Sequence, residues 1–237
     1  MPARRRTKIV ATLGPATKDP AVLDAMISAG MDVVRLNFSH GSAQSHIEMA
    51  ERVRNRARAF GRQVGVLVDL QGPKIRIARF KNAGVKLVEN EMFTLNAGLA
   101  DDEGDNNQVG IDYKALPHDV KRGDTLLLDD GRIVLWVDSV IDQQIHCRVT
   151  VGGMLTDNKG INRQGGGLSA SALTPKDMAD IQTAADMQAD YLAISFPRCA
   201  DDIHLARRLL REAGGYGGII AKIERAEARD DIDAITE

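Results

Sequence analysis

Two short segments carry side chains suited to handling a phosphate. Val33 to Gly41 reads Val-Val-Arg-Leu-Asn-Phe-Ser-His-Gly, apolar at its start and polar at its end. Side chains alternate along a strand, so Arg35, Asn37 and Ser39 are expected on one face and Val34, Leu36 and Phe38 on the other. A guanidinium matches a phosphate bidentately. Asn37 and Ser39 offer oxygens that could bind a cation or cap a following helix. Near the other end, Ala221-Lys222-Ile223-Glu224 places a cation and a carboxylate two residues apart, and the same period turns both to one side. Two chemistries fit that pair equally on pattern alone. One is an ion pair. The other is a lysine that stabilises transferring negative charge beside a carboxylate that holds Mg²⁺, an ion that takes one or two carboxylates and keeps water and substrate phosphate elsewhere.

Strands and helices alternate around these segments. Lys8–Leu13, Asp32–Phe38 and Val64–Leu70 read as apolar strands. Asp19–Gly30 and Ala43–Phe60 read as helices, the second with Ile47, Ala50, Val53, Ala57 and Phe60 on one side. The alternation returns with a helix beginning at Thr174-Pro175, an N-cap followed by proline at the first helical position. Then come a strand over Tyr191–Phe196, a helix over Asp201–Ala213, a strand over Gly218–Ile223 and a last helical segment from Arg225. The five strands are apolar on both faces, as buried parallel strands should be. Polar residues collect at their C-terminal ends: Arg35, Asn37 and Ser39, then Asp69, Ser195, and Lys222 with Glu224. That end carries the active site in β/α barrels and the ligand in doubly wound sheets, so position alone does not separate the two. No Gly-x-Gly-x-x-Gly follows the first strand.

Between Lys74 and Leu168 the pattern becomes all-β, with strands expected at Ile75–Phe80, Val85–Val88, Met92–Asn96, Thr125–Leu128, Ile133–Val140 and Ile145–Val151. Asp130-Gly131 is a hairpin signal, and Gly165-Gly166-Gly167 reads as a hinge. The predicted division is 1–72 and 169–237 for the β/α part and 73–168 for the insert.

The chain has 237 residues, 31 Lys and Arg against 33 Asp and Glu, and a net charge of −2. This gives no general electrostatic case for nucleic acid or an anionic membrane. Cys147 and Cys199 form no disulfide framework, which favours a reducing compartment. The basic start Arg4-Arg5-Arg6 leads into a strand rather than a signal-peptide core, and no apolar run approaches the ~18 residues of a membrane span. A cytoplasmic protein is expected.

Six ordered blocks then resemble the pyruvate kinase family along the whole chain: Thr7–Thr17, Val33–Gly41, Asp69–Arg76, Asn158–Asn162, Ser195–Arg198 and Ala221–Glu224. Gln71, Lys74 and the segment at Arg198-Cys199 resemble a bacterial isoenzyme of its A type. The resemblance implies a (β/α)8 TIM barrel, incomplete in this chain and interrupted after its third strand by a β lid domain. It implies Mg²⁺-dependent (or Mn²⁺-dependent) phosphoryl transfer between phosphoenolpyruvate and ADP, giving pyruvate and ATP, and a homotetramer for the full-length protein.

The resemblance also implies residue roles. Arg35 meets the substrate phosphate, Lys222 stabilises the transferring group and the enolate, Ser195 lines the site, and Glu224 is a Mg²⁺ ligand. Asn37, Ser39, Asp69 and the Leu70 carbonyl correspond to a monovalent-cation site. Asn37, Phe38, Ser39, His40, Arg76 and Lys159 lie on the nucleotide side. Many family members carry Glu where Lys74 stands, and those need K⁺; the lysine ammonium could replace that ion. The family continues beyond Glu237 with a second metal-binding Asp, so negligible turnover is expected of these 237 residues alone. A phosphoenolpyruvate-utilising barrel lyase and a non-catalytic piece stabilised by association are the competing readings.

Overall fold

The structure, a computed structural model, describes residues 6–73 and 75–237; Arg4, Arg5 and Lys74 lie outside them. The chain divides into two compact units, Met1–Gly72 with Ser171–Glu237, and Pro73–Ala170.

The first unit begins with β1 (Val10–Thr12), α1 (Pro20–Ala29), β2 (Val33–Asn37), α2 (Ala43–Ala59) and β3 (Gly65–Asp69). The second supplies β4 (Gly84–Leu87), β5 (Met92–Asn96), β6 (Gln108–Gly110), α3 (Leu116–Asp119), β7 (Thr125–Leu128), β8 (Ile133–Ile141), β9 (Gln144–Val151), β10 (Gly153–Thr156) and β11 (Ile161–Arg163). The first unit then resumes with α4 (Pro175–Asp186), β12 (Tyr191–Ile194), α5 (Ala200–Glu212), β13 (Gly218–Ala221), α6 (Ala226–Asp230) and α7 (Ile232–Thr236).

The first unit's five strands form one sheet in the order β1-β2-β3-β12-β13, every pair parallel. The order follows the chain without the reversal that defines a doubly wound sheet. One face carries Val34, Leu36, Val66, Val68, Leu192 and Ile194, which pack in a single core with Leu23 and Ile27 of α1, Val53 of α2, Ile181 of α4 and Ile203 of α5. Each fully buried aliphatic side chain there contributes about 1.5–3 kcal/mol. The opposite face carries the polar side chains. The outer strands depart from the expectation of burial on both faces. Val10 is 54% exposed and Ile220 36%, because an outer strand has a neighbour on one side only.

Local chemistry sets the helix ends. Asp19 caps α1, accepting the Ala21 N–H at 2.9 Å, and Gly30 ends it at φ +107°, a left-handed conformation that glycine adopts without Cβ strain. Ser42 caps α2 through a capping box with Ser45, and Thr174 caps α4 with Asp177. At the strands' N-terminal ends, where helix C-termini gather, Arg54 donates to the Met187 and Gln188 carbonyls. Arg62 donates to the Ile27 and Met31 carbonyls. Cations at helix C-termini offset the macrodipole.

The second unit holds a six-stranded sheet, β11-β7-β8-β9-β5-β6, and a two-stranded sheet, β10-β4, around its own core. Ile75–Phe80 does not form the expected strand. Its N–H groups go to different places: Ile77 to Lys159 O, Ala78 to Gly110 O, Arg79 to Asp101 O. Only isolated bridges result. The β7–β8 hairpin turns through Asp129, Asp130 and Gly131, all at positive φ, and Asp129 Oδ1 pairs with Lys159 Nζ at 2.8 Å.

The Lys159 hydrogen bond holds the Asp129 carboxyl below its ordinary value, outweighing its partial burial. A depressed carboxylate stabilises the fold above the unfolded pKa, ordinarily about 3.9, and loses that effect as pH falls through the folded value. Asp129→Asn is therefore expected to lower the melting temperature at pH 6, with the gap to wild type closing as pH drops below about 4. Thermal melts across pH check this; a gap unchanged by acid would contradict it.

Candidate active site at the C-terminal ends of the parallel strands

β2 delivers Arg35 on the face away from the core. Its Nε donates to Asp69 Oδ2 at 2.7 Å and its Nη1 to Thr12 Oγ1 at 3.0 Å. The register explains both contacts. Arg35 lies beside Thr12 on β1, and Asn37 lies beside Asp69 on β3. Ser39 does not share the strand face with Arg35 and Asn37. The Asn37 Oδ1 accepts the Ser39 N–H at 3.0 Å, an Asx turn that ends the strand. Phe38 is buried and stacks on His46 of α2, with centroids 4.1 Å apart and planes 11° apart. His46 Nε2 donates to the His40 carbonyl at 2.8 Å, so α2 holds the turn that carries His40.

The neighbouring strand ends converge on Asp69, whose side chain is 5% exposed. Lys222 Nζ lies 3.0 Å from Asp69 Oδ1 and donates to Ser195 Oγ at 2.8 Å. Ser195 in turn donates to the Leu70 carbonyl at 2.6 Å. β13 ends at Ala221, so Lys222 and Glu224 stand just beyond it rather than on it; the Lys222 N–H still continues the ladder to Ile194 O. The two side chains do meet, with Nζ 3.6 Å from Glu224 Oε1. The other Glu224 oxygen accepts the Phe196 N–H at 3.1 Å. Phe196 presents that N–H from φ +56°, a conformation that costs a non-glycine residue about 1–3 kcal/mol.

The formal charges of Arg35, Lys222, Asp69 and Glu224 cancel. The cluster therefore holds two directed cations without a surplus of positive charge. Glu224 supplies one carboxylate suited to Mg²⁺. Among the described residues no group of three or more His, Cys, Asp or Glu side chains is placed to hold a metal ion. Of the residues expected to hold a monovalent cation (Asn37, Ser39, Asp69 and the Leu70 carbonyl), Asn37, Asp69 and Leu70 present oxygens that already accept protein hydrogen bonds. A carbonyl or carboxylate oxygen keeps further lone pairs beyond these bonds.

A largely apolar cavity of about 560 Å³ adjoins the β2 turn, lined by Thr12, Pro15, Asn37, His40, His46 and Met49 among others. A larger basin, about 820 Å³, lies at the opposite ends of the strands and includes Arg54 and Arg62, whose guanidinium groups cap helices.

In the second unit Arg76 and Gly160 form an antiparallel bridge, and the Ile77 N–H donates to the Lys159 carbonyl at 2.9 Å. Arg76 and Lys159, 83 positions apart in sequence, are thereby brought to adjacent backbone segments. Lys74 lies outside the described residues. Thr12 and His46 emerge from the structure alone. Nothing in their local spacing marks a threonine on the first strand or a histidine on a helix as part of a site.

The family model described as the pyruvate kinase barrel domain matches residues 4–237. Pyruvate kinase II of Salmonella typhimurium is 56% identical over 233 residues, covering 98% of this chain and 48% of that protein. Pyruvate kinase of Haemophilus influenzae is 53% identical over 234 residues, covering 96% and 49%. Pyruvate kinase of Mycobacterium tuberculosis is 43% identical over 231 residues, covering 98% and 48%. The chain spans about half the length of the curated relatives it matches, and the barrel-domain match across nearly all of it shows that it belongs to the pyruvate kinase family.

Proposed function

We propose that the protein containing this chain transfers the phosphoryl group of phosphoenolpyruvate to ADP, giving pyruvate and ATP, as a glycolytic enzyme of the cytoplasm. The observation that supports this best is the pair of cations joined through Asp69: Arg35 on one oxygen and Lys222 on the other. Phosphoryl transfer asks chiefly for positioning and charge stabilisation. Arg35 would hold the substrate phosphate, and Lys222 the transferring group and the enolate oxygen. Ser195, which accepts from Lys222, fixes where that ammonium points. Glu224 would hold Mg²⁺, which when bound supplies positive charge to the phosphoryl oxygens.

The nucleotide would take the cavity beside Asn37 and His40, with Phe38 and Ser39 in the turn between those two residues. The unit Pro73–Ala170 would act as the lid, contributing Arg76 and Lys159 to the nucleotide phosphates and excluding water. Family resemblance alone supports homotetrameric assembly of the full-length protein, and this reading involves neither nucleic acid nor a membrane.

Three outcomes are expected. In the full-length protein, Lys222→Met lowers kcat by about 100–1000-fold, the usual effect of removing one stabiliser of developing charge. A lactate dehydrogenase-coupled assay reads this, and a variant as fast as wild type would refute the role. A polypeptide of residues 1–237 alone, with Glu224 as its metal carboxylate, shows negligible turnover in the same assay; a rate near that of the full-length protein contradicts this. Finally, Lys74 motivates K⁺ independence. Full-length activity should be similar in K⁺ and in a non-activating cation, and a large loss without K⁺ would sink the idea.

A further inference from the structure

Two adjacent side chains at the start of α4 reach out of their helix to the two loops that carry the site. Lys176 Nζ donates to the Phe38 carbonyl at 2.8 Å, in the turn after β2, and also binds Asp180 one helical turn on. Asp177 is wholly buried. Its Oδ2 completes the capping box, accepting from Thr174 N–H at 2.9 Å and Thr174 Oγ1 at 2.6 Å. A capping box needs no more than that. Its Oδ1 leaves the helix and accepts the Gly72 N–H at 3.0 Å, 105 positions away in sequence.

Gly72 closes the segment that starts at Asp69. It sits at φ +67°, and a Cβ there would lie 2.8 Å from the Cβ of Ser195 and 3.2 Å from its carbonyl oxygen. Gly72 is thus pressed against the residue whose hydroxyl links the Leu70 carbonyl to Lys222. Shifting Gly72 shifts that link, and with it the ammonium on Asp69. The Phe38 carbonyl similarly lies within the turn that sets Ser39 and His40.

We propose that Lys176 and Asp177 are positioning residues that clamp the two loops independently. Lys176 sets the β2 turn on the nucleotide side, and Asp177 sets the Asp69–Gly72 segment on the phosphoryl side. The kinetic part of this inference rests on the proposed function; the backbone part does not.

The test uses the full-length protein with Lys176→Met, Asp177→Ala and Thr174→Ala, the last removing a cap hydroxyl but leaving both clamp contacts. Asp177→Ala is chosen because an asparagine would keep an oxygen able to accept the Gly72 N–H. Lys176→Met should raise KM for ADP several-fold with kcat little changed. Asp177→Ala should lower kcat by about 10–100-fold, the scale of a small misplacement in an oriented site, and should speed amide exchange at Gly72 by about tenfold or more. Thr174→Ala should lower the melting temperature while leaving kcat, KM and Gly72 exchange as in wild type. If Asp177→Ala and Thr174→Ala behave alike in all these measures, Asp177 only caps its helix and the proposal fails. It fails equally if Lys176→Met leaves KM for ADP unchanged. The Lys176 side chain is half exposed, so this variant keeps the fold and decides its half even if Asp177→Ala does not fold. A wild-type protein that moves no phosphate from phosphoenolpyruvate to ADP would overturn the proposed function instead, and Gly72 exchange would then decide the clamp alone.

Discussion

The site depends on one buried carboxylate held between two cations. Asp69 takes Arg35 on one oxygen and Lys222 on the other. A carboxylate this far from water is costly unless it is paired and hydrogen-bonded; two cations brought this close would repel without it. Each group thus makes the others tolerable. The three come from β2, β3 and the segment after β13, so the ion triplet exists only when the parallel sheet is in register. Removing Asp69 would leave two like charges facing each other, whereas removing either cation would leave a buried charge half compensated.

Around that triplet the fold supplies orientation. Ser195 ties the Lys222 ammonium to the backbone of β3's exit, and Phe196 spends local strain to aim an N–H at Glu224. The core face of the same strands is aliphatic and packs against the surrounding helices, so the polar face is held by groups that do not take part in its chemistry. The cations at the opposite strand ends serve the helices there, which is why a large basic basin at that end is an architectural feature.

Much of this was legible in the chain before folding. The runs at Val33–Asn37 and Gly65–Asp69 are apolar enough to be strands, and Asp19, Thr174 and Gly30 mark helix ends by capping chemistry that acts within four residues. The cap of α2 is Ser42, not the Asn37 or Ser39 that the sequence offered for that role. The short strands Gln108–Gly110, Gly153–Thr156 and Ile161–Arg163 were not legible. Three or four residues carry too little periodicity to stand out. Ile75–Phe80 misled in the other direction. It has strand composition, but its backbone partners are scattered over several segments, and a ladder needs consecutive ones. Ser39 left the expected face because the Asn37 side chain competes for its N–H.

By itself the sequence determined which residues are chemically capable, at which ends of which strands they stand, and the family to which the motifs point. The first two follow from residue type and from periodicities of two and 3.6, which are local properties; the third rests on the resemblance of whole motifs. Only the tertiary structure decided which capable residues touch. It put Asp69 between Arg35 and Lys222, gave Arg35 a partner in Thr12, stacked His46 on Phe38, set the Arg76 and Lys159 segments side by side, and sent one oxygen of Asp177 across 105 positions to Gly72. The physical reason is that hydrogen bonds and ion pairs act over about 3 Å, a distance that sequence separation does not encode and strand register does.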